Sequence, residues 1–180
     1  MVHTTLPLIY LALPVLLILF IVDVVRNKRG LRERILQVGF SVYLLALLDV
    51  TLGEIWLPPW TDSYHQVQLV PLYFLVDIYQ TYEIGMFYFI NAIKLSFYNL
   101  LLFVPFGMFL YLLFKLRNGL IATLVLFLAS LFIEISQLVL SSTGLSMSRI
   151  FDVDDLILNT AGGVLGYYVT KWIDQLIKRR

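Results

Sequence analysis

The segment SRIFDVDDLILNTAGGVLGYYV, Ser148 to Val169, places Arg149, Asp152, Asp154, Asp155 and Asn159 at the head of an otherwise apolar run. Upstream, IEISQ adds Glu134 and Gln137, and NLLLFVPFG begins with Asn99. Carboxylates, amides and one guanidinium in an apolar chain suit three kinds of chemistry. They can hold a lipid-linked polar headgroup, with Arg149 on phosphate and the amides and carboxylates on sugar or peptide groups. They can hold a hard divalent cation such as Mg2+ or Ca2+ through the oxygens of Glu134, Asp152 and Asp155. Or they can form an enzyme site, in which burial makes Glu134 a general acid while Asp155, beside Asp152, stays ionised as base or metal ligand.

The same aspartates also have a structural reading. Asp152 can cap a helix with Asp155 three residues on, as in a capping box, and carboxylates there gain from the helix dipole. No signature decides for catalysis. The chain has no cysteine and only His3 and His65, which removes thiolate nucleophiles and sulfur-ligated zinc and disfavours a histidine-rich metal site. GLSMS, Gly144 to Ser148, is not a G-x-S-x-G elbow, and the DVDD run is too common at helix starts to carry metal-pyrophosphate chemistry.

The elements that position these residues follow from composition. Hydrophobic residues make up 60% of the 180 and charged residues 14%, far more apolar surface than a soluble domain of this length buries. The chain therefore reads as an all-α integral membrane protein in one domain, residues 1–180. Five segments approach the roughly 20 helical residues that cross a hydrocarbon core of about 30 Å. They are Leu6 to Val25, Leu36 to Leu52, Asn99 to Leu116, Leu120 to Leu140 and the glycine-bearing Asp155 to Ile173.

RNKRGLRER after the first segment should stay cytoplasmic, which puts the N-terminus outside and the C-terminus inside. Lys115, Arg117, Lys171, Lys178, Arg179 and Arg180 then also fall inside, and only Lys94 and Arg149 outside. Most acidic residues, including Asp49, Glu54, Asp62, Asp77 and Glu83, take the outer side. With no basic region before it and no small-residue cleavage site after it, the first segment reads as an uncleaved anchor. The aromatic-rich stretch between the second and third segments has apolar runs too short to span and is expected to be interfacial or re-entrant.

Glu134 falls about 7 Å from the midpoint of its segment, inside the hydrocarbon. An acid at that depth turns inward or is protonated. Ser130, Glu134, Gln137 and Ser141 draw one polar stripe on that helix, and Asp152, Asp155, Asn159, Gly162 and Gly166 draw another on the fifth. Gly162 and Gly166 form a small-xxx-small step that admits a neighbouring backbone. Pro105 removes a donor and leaves the Leu101 carbonyl without its usual partner, so a kink is expected.

The motifs NLLLFVPFG, IEISQ and SRIFDVDDLILNTAGGVLGY, in this order and spacing, resemble the VanZ-like family of bacterial membrane proteins. VQLVPLYFL, Val67 to Leu75, resembles more loosely an NLIPF element of that family, so the motif-bearing part covers about residues 67–170. The resemblance marks Asn99, Pro105, Gly107, Glu134, Gln137, Arg149, Asp152, Asp155, Asn159, Gly162 and Gly166, with Ser148 standing where relatives often have glycine. It implies a multi-pass protein of the bacterial plasma membrane, related to proteins that give low-level resistance to the lipid-tailed glycopeptide teicoplanin. Membrane lipids, a lipid-linked cell-wall precursor or a lipoglycopeptide are the expected partners, nucleic acid is not, and a homo-oligomer is open. A membrane-embedded hydrolase or transferase and a small transporter stay as alternatives, the latter weakened by the lack of a repeated pair of broken helices.

Overall fold

Long runs of leucine, isoleucine and valine form helices that satisfy their own backbone groups, as a bilayer demands. The computed structural model describes residues 4–7, 9–26, 30–59, 66–146 and 150–179, and these are mostly helical. His3, Lys28, Arg29, Asp62, His65, Ser148, Arg149 and Arg180 lie outside the described residues. Among the described residues three helices are long and apolar enough to cross a membrane, Leu31–Leu52, the interrupted Met86–Leu112 and Gly119–Ser142, beside a shorter apolar helix, Ala12–Val25. Contacts divide the chain into two compact units, Met1–Gln66 with Ile135–Ile150, and Val67–Glu134 with Phe151–Arg180.

In the first unit, β1 (Thr4–Pro7) pairs antiparallel with β2 (Glu54–Leu57), Thr4 opposite Leu57 and Pro7 opposite Glu54. The first helix, α1 (Ile9–Arg26), thus starts later than the Leu6 expected from hydropathy, because Leu6 and Pro7 are drawn into the strand pair. It packs on α2 (Leu31–Leu52), which ends at Gly53, where a φ of +66° lets the glycine N–H return to the Asp49 carbonyl at 3.1 Å. The Trp56 N–H donates to the Leu145 carbonyl at 2.7 Å, tying β2 to the turn after α6 (Gly119–Ser142).

β3 (Gln66–Gln68) pairs with β4 (Ile150–Asp152), and in the second unit α3 (Tyr73–Ile84) packs on α4 (Met86–Leu102). The 12 residues of α3 reach roughly 18 Å, too short to span. The third apolar stretch begins at Met86 and not at the expected Asn99, because the chain breaks at Gly85, whose φ is +153°. Asn99 therefore stands in the last turns of α4. The expected interruption comes at Phe103, before α5 (Val104–Leu112): with no N–H on Pro105, the Leu101 carbonyl is taken by the Phe103 N–H instead.

α4 and α5 pack along α7 (Val153–Lys178), which starts close to the expected Asp155 and runs past Ile173. Glycines set the spacing. A Cβ built on Gly162 would lie 1.7 Å from the Leu100 carbonyl oxygen, one on Gly166 2.1 Å from that of Val104, and one on Gly107 1.8 Å from that of Gly163. Backbone thus meets backbone at the proline break, in the range where Cα–H groups contact carbonyl oxygens. On α6 one face is apolar and exposed (Leu124, Leu128, Phe132, Ile135, Val139), while Ser130, Glu134, Gln137 and Ser141 are buried along the other. The polar stripe therefore faces protein, as its residues require.

Candidate functional site

The head of α7 starts with its own cap. Asp152 has extended backbone and its Oδ1 accepts the Asp154 N–H at 2.8 Å, a normal N-cap bond that satisfies one orphan donor of the first turn. The Asp152 N–H in turn donates to Glu134 Oε2 at 3.2 Å, which gives the buried Glu134 carboxylate a partner on the neighbouring helix start. Asp155 accepts a hydrogen bond from the Asn99 amide, joining α4 to α7 about two turns above the Gly162 contact. One turn deeper, Asn159 Nδ2 donates to Ser130 Oγ at 3.1 Å. Asn99, Glu134, Asp152, Asp155 and Asn159 are thus brought together, all within the second unit.

Two sequence expectations end elsewhere. Gln137 lies in the first unit, where its Nε2 donates to the Thr51 carbonyl at 2.7 Å, so its amide nitrogen closes the end of α2. Arg149 falls outside the described residues. Among the described residues no group of three or more acidic or histidine side chains is arranged to hold a metal ion, Glu134, Asp152 and Asp155 included.

Asp154 and Gln68 join the site unannounced. Asp154 is 2% exposed, and its carboxylate accepts the Leu72 N–H at 2.5 Å and the Phe74 N–H at 2.7 Å. It therefore caps α3 from 80 residues away. Leu72 has no side-chain acceptor of its own and sits at a φ of 64°, so the start of α3 depends on this borrowed carboxylate. Gln68 Nε2 reaches the Val70 carbonyl at 2.9 Å, Asp152 Oδ1 at 3.3 Å and Asp154 Oδ2 at 3.4 Å. The signal in the sequence was the lack of any Ser, Thr, Asp or Asn before the YFLVDIYQ helix.

Four carboxylates, those of Glu134, Asp152, Asp154 and Asp155, gather at the head of α7 beside the positive end of its dipole and make the site rich in acceptors. Burial nevertheless pushes Asp152 above the usual carboxylate range; the Asp154 N–H bond opposes this, and the charges of Asp154 and Asp77 add to it. A raised native pKa means that the folded chain keeps a proton which the unfolded chain has lost. Stability from this group is thus full below about pH 4 and declines as pH rises through the raised native value. Asp152→Asn keeps a good cap without the charge, so its thermal midpoint in detergent should rise relative to wild type as pH increases over that window. A midpoint difference independent of pH would contradict this.

The deepest acceptor is the most informative. Asn159 is 2% exposed, and among the described residues its Oδ1 has no hydrogen-bond partner while its Nδ2 is engaged. An orphaned buried carbonyl costs about 1–3 kcal/mol, and a donor brought by a ligand removes that cost.

The model of the VanZ/LLP1 family matches residues 40–174 of the 180. The chain belongs to the VanZ/LLP1 family. Every site residue just described, from Gln68 to Asn159, lies inside the match. No curated protein and no solved structure matches the chain.

Proposed function

We propose that this VanZ/LLP1 member is a multi-pass protein of the bacterial plasma membrane whose acidic site at the head of α7 opens to the outer leaflet. There it binds the polar headgroup of a lipid or lipid-linked cell-wall component. Five crossings, by α1, α2, the α4–α5 stretch, α6 and α7, leave Lys115, Arg117, Lys171, Lys178 and Arg179 inside and the aspartate cluster outside. Lys94 is exposed partway along α4, which favours a hydrocarbon boundary near Asn99 and an interfacial place for α3 and the start of α4.

The observation that carries the reading is the Asn159 side-chain carbonyl, without a partner among the described residues, beneath a set of acceptor-rich carboxylates. A ligand rich in donors, such as sugar hydroxyls, peptide amides or an ammonium group, complements it. Occupancy by a cell-wall component lowers the capture of lipoglycopeptides, so expression protects against teicoplanin. The experiment is teicoplanin susceptibility of a sensitive host carrying wild type or site variants at equal membrane abundance.

The enzyme reading has one specific observation in its favour, the buried Glu134 carboxylate held against the head of α7, which suits a general acid. It requires a released product when the purified protein meets its lipid-linked substrate, whereas binding alone does not.

A further inference from the structure

We propose that the opposite end of α7 binds the phosphate of an anionic phospholipid, at a site separate from the one at its head. From Asp154 to Asp174 the helix runs about 30 Å, so the two sites face opposite membrane surfaces.

Asp174 organises this end. Its Oδ2 accepts from the Tyr111 hydroxyl at 2.8 Å and from Lys178 Nζ at 2.7 Å, and Arg117 Nη1 stands 4.0 Å away. The Arg117 guanidinium also lies 4.0 Å over the Tyr111 ring, which orients it while its side chain stays 53% exposed; Lys178 is 66% exposed. Two cations are thus held in place with most of their surface open to a ligand. Lys115, Arg117, Lys171, Asp174, Lys178 and Arg179, in the segments at this end, sum to a net charge of +4.

A second observation points to a missing acceptor. Tyr167 is 1% exposed, its hydroxyl has no hydrogen-bond partner among the described residues, and its ring stands edge-on to Tyr111 with centroids 5.6 Å apart. The Arg117 guanidinium lies over that same Tyr111 ring. A buried O–H donor beside a fixed guanidinium matches a phosphate oxygen. The lipid is favoured over a soluble anion because Tyr168, Trp172, Ile173 and Ile177 are exposed along the same helix, an aromatic and aliphatic surface for the glycerol and acyl chains.

The test is native mass spectrometry of the full chain in detergent, with phosphatidylglycerol or phosphatidylcholine supplied at equal concentration. Wild type should retain phosphatidylglycerol at least tenfold better, roughly what two surface cations supply, and the Arg117→Gln/Lys178→Gln variant should lose that preference. Tyr167→Phe removes only an unpartnered hydroxyl, so its lipid-free thermal midpoint should not fall while its phosphatidylglycerol retention drops. Equal retention of the two lipids, an undiminished preference in the folded double variant, or displacement of phosphatidylglycerol by millimolar inorganic phosphate would overturn the proposal. Should the double variant fail to fold, Tyr167→Phe decides: full retention by it overturns the proposal.

Discussion

Replacing Gly162 with alanine is expected to deplete the folded protein. The new Cβ would stand 1.7 Å from the Leu100 carbonyl oxygen, whereas a carbon–oxygen contact needs about 3.3 Å. The offending atom belongs to a helix backbone and has no rotamer to escape into, so α7 and α4 must separate. Overpacking usually costs about 1–3 kcal/mol, and separating two backbones belongs at or above the upper end. The loss spreads upward, because the same two helices carry the Asn99–Asp155 hydrogen bond. Gly163→Ala should be milder, since its Cβ meets only the Leu126 side chain, at 2.5 Å. Gly30→Ala should cost only the poorer N-cap that alanine makes for α2, since among the described residues nothing stands within 4 Å. Size-exclusion profiles and thermal midpoints in detergent check the order; a Gly162→Ala protein as stable as Gly30→Ala would refute the packing account.

The second large effect is expected at Asp154. Removing its carboxylate with Asp154→Ala strands two backbone donors, those of Leu72 and Phe74, at the start of a helix with no local cap. A hydrogen bond to a charged group contributes about 1.5–3 kcal/mol. Loss of the pair should therefore speed hydrogen exchange at these two amides at least a hundredfold. Asp154→Asn, which keeps one acceptor oxygen, should fall between. Exchange at the start of α3 that is unchanged in Asp154→Ala would show that α3 is held by its packing on α4 and not by the cap.

The contrast between Asp154 and Asp155 shows how much of the molecule the sequence discloses. Periodicity displays residues on one stripe, so Asp152, Asp155 and Asn159 were legible as a group, and the buried stripe of α6 follows from the cost of polar groups in hydrocarbon. Asp154 lies off that stripe and would pass for a solvated acid. Its role rests on a contact 80 residues away that no local pattern encodes. The break at Pro105 was legible because the chemistry is local, an absent N–H. The start of α4 at Met86 was not, because one glycine in an aromatic stretch is a weak sign until its φ is known. Gln137 shares a face with Glu134, yet its partner is the Thr51 carbonyl in the first unit. Which partner a stripe residue meets is set by tertiary packing.

The site at the head of α7 is tested most directly by teicoplanin susceptibility. A sensitive bacterial host would express wild type, Glu134→Gln and Asp155→Asn at matched membrane abundance, with an empty vector beside them. Protection by wild type that falls to the vector level in both variants is the predicted result. Protection that persists undiminished in both would contradict the account, because the activity would then reside outside the acidic site.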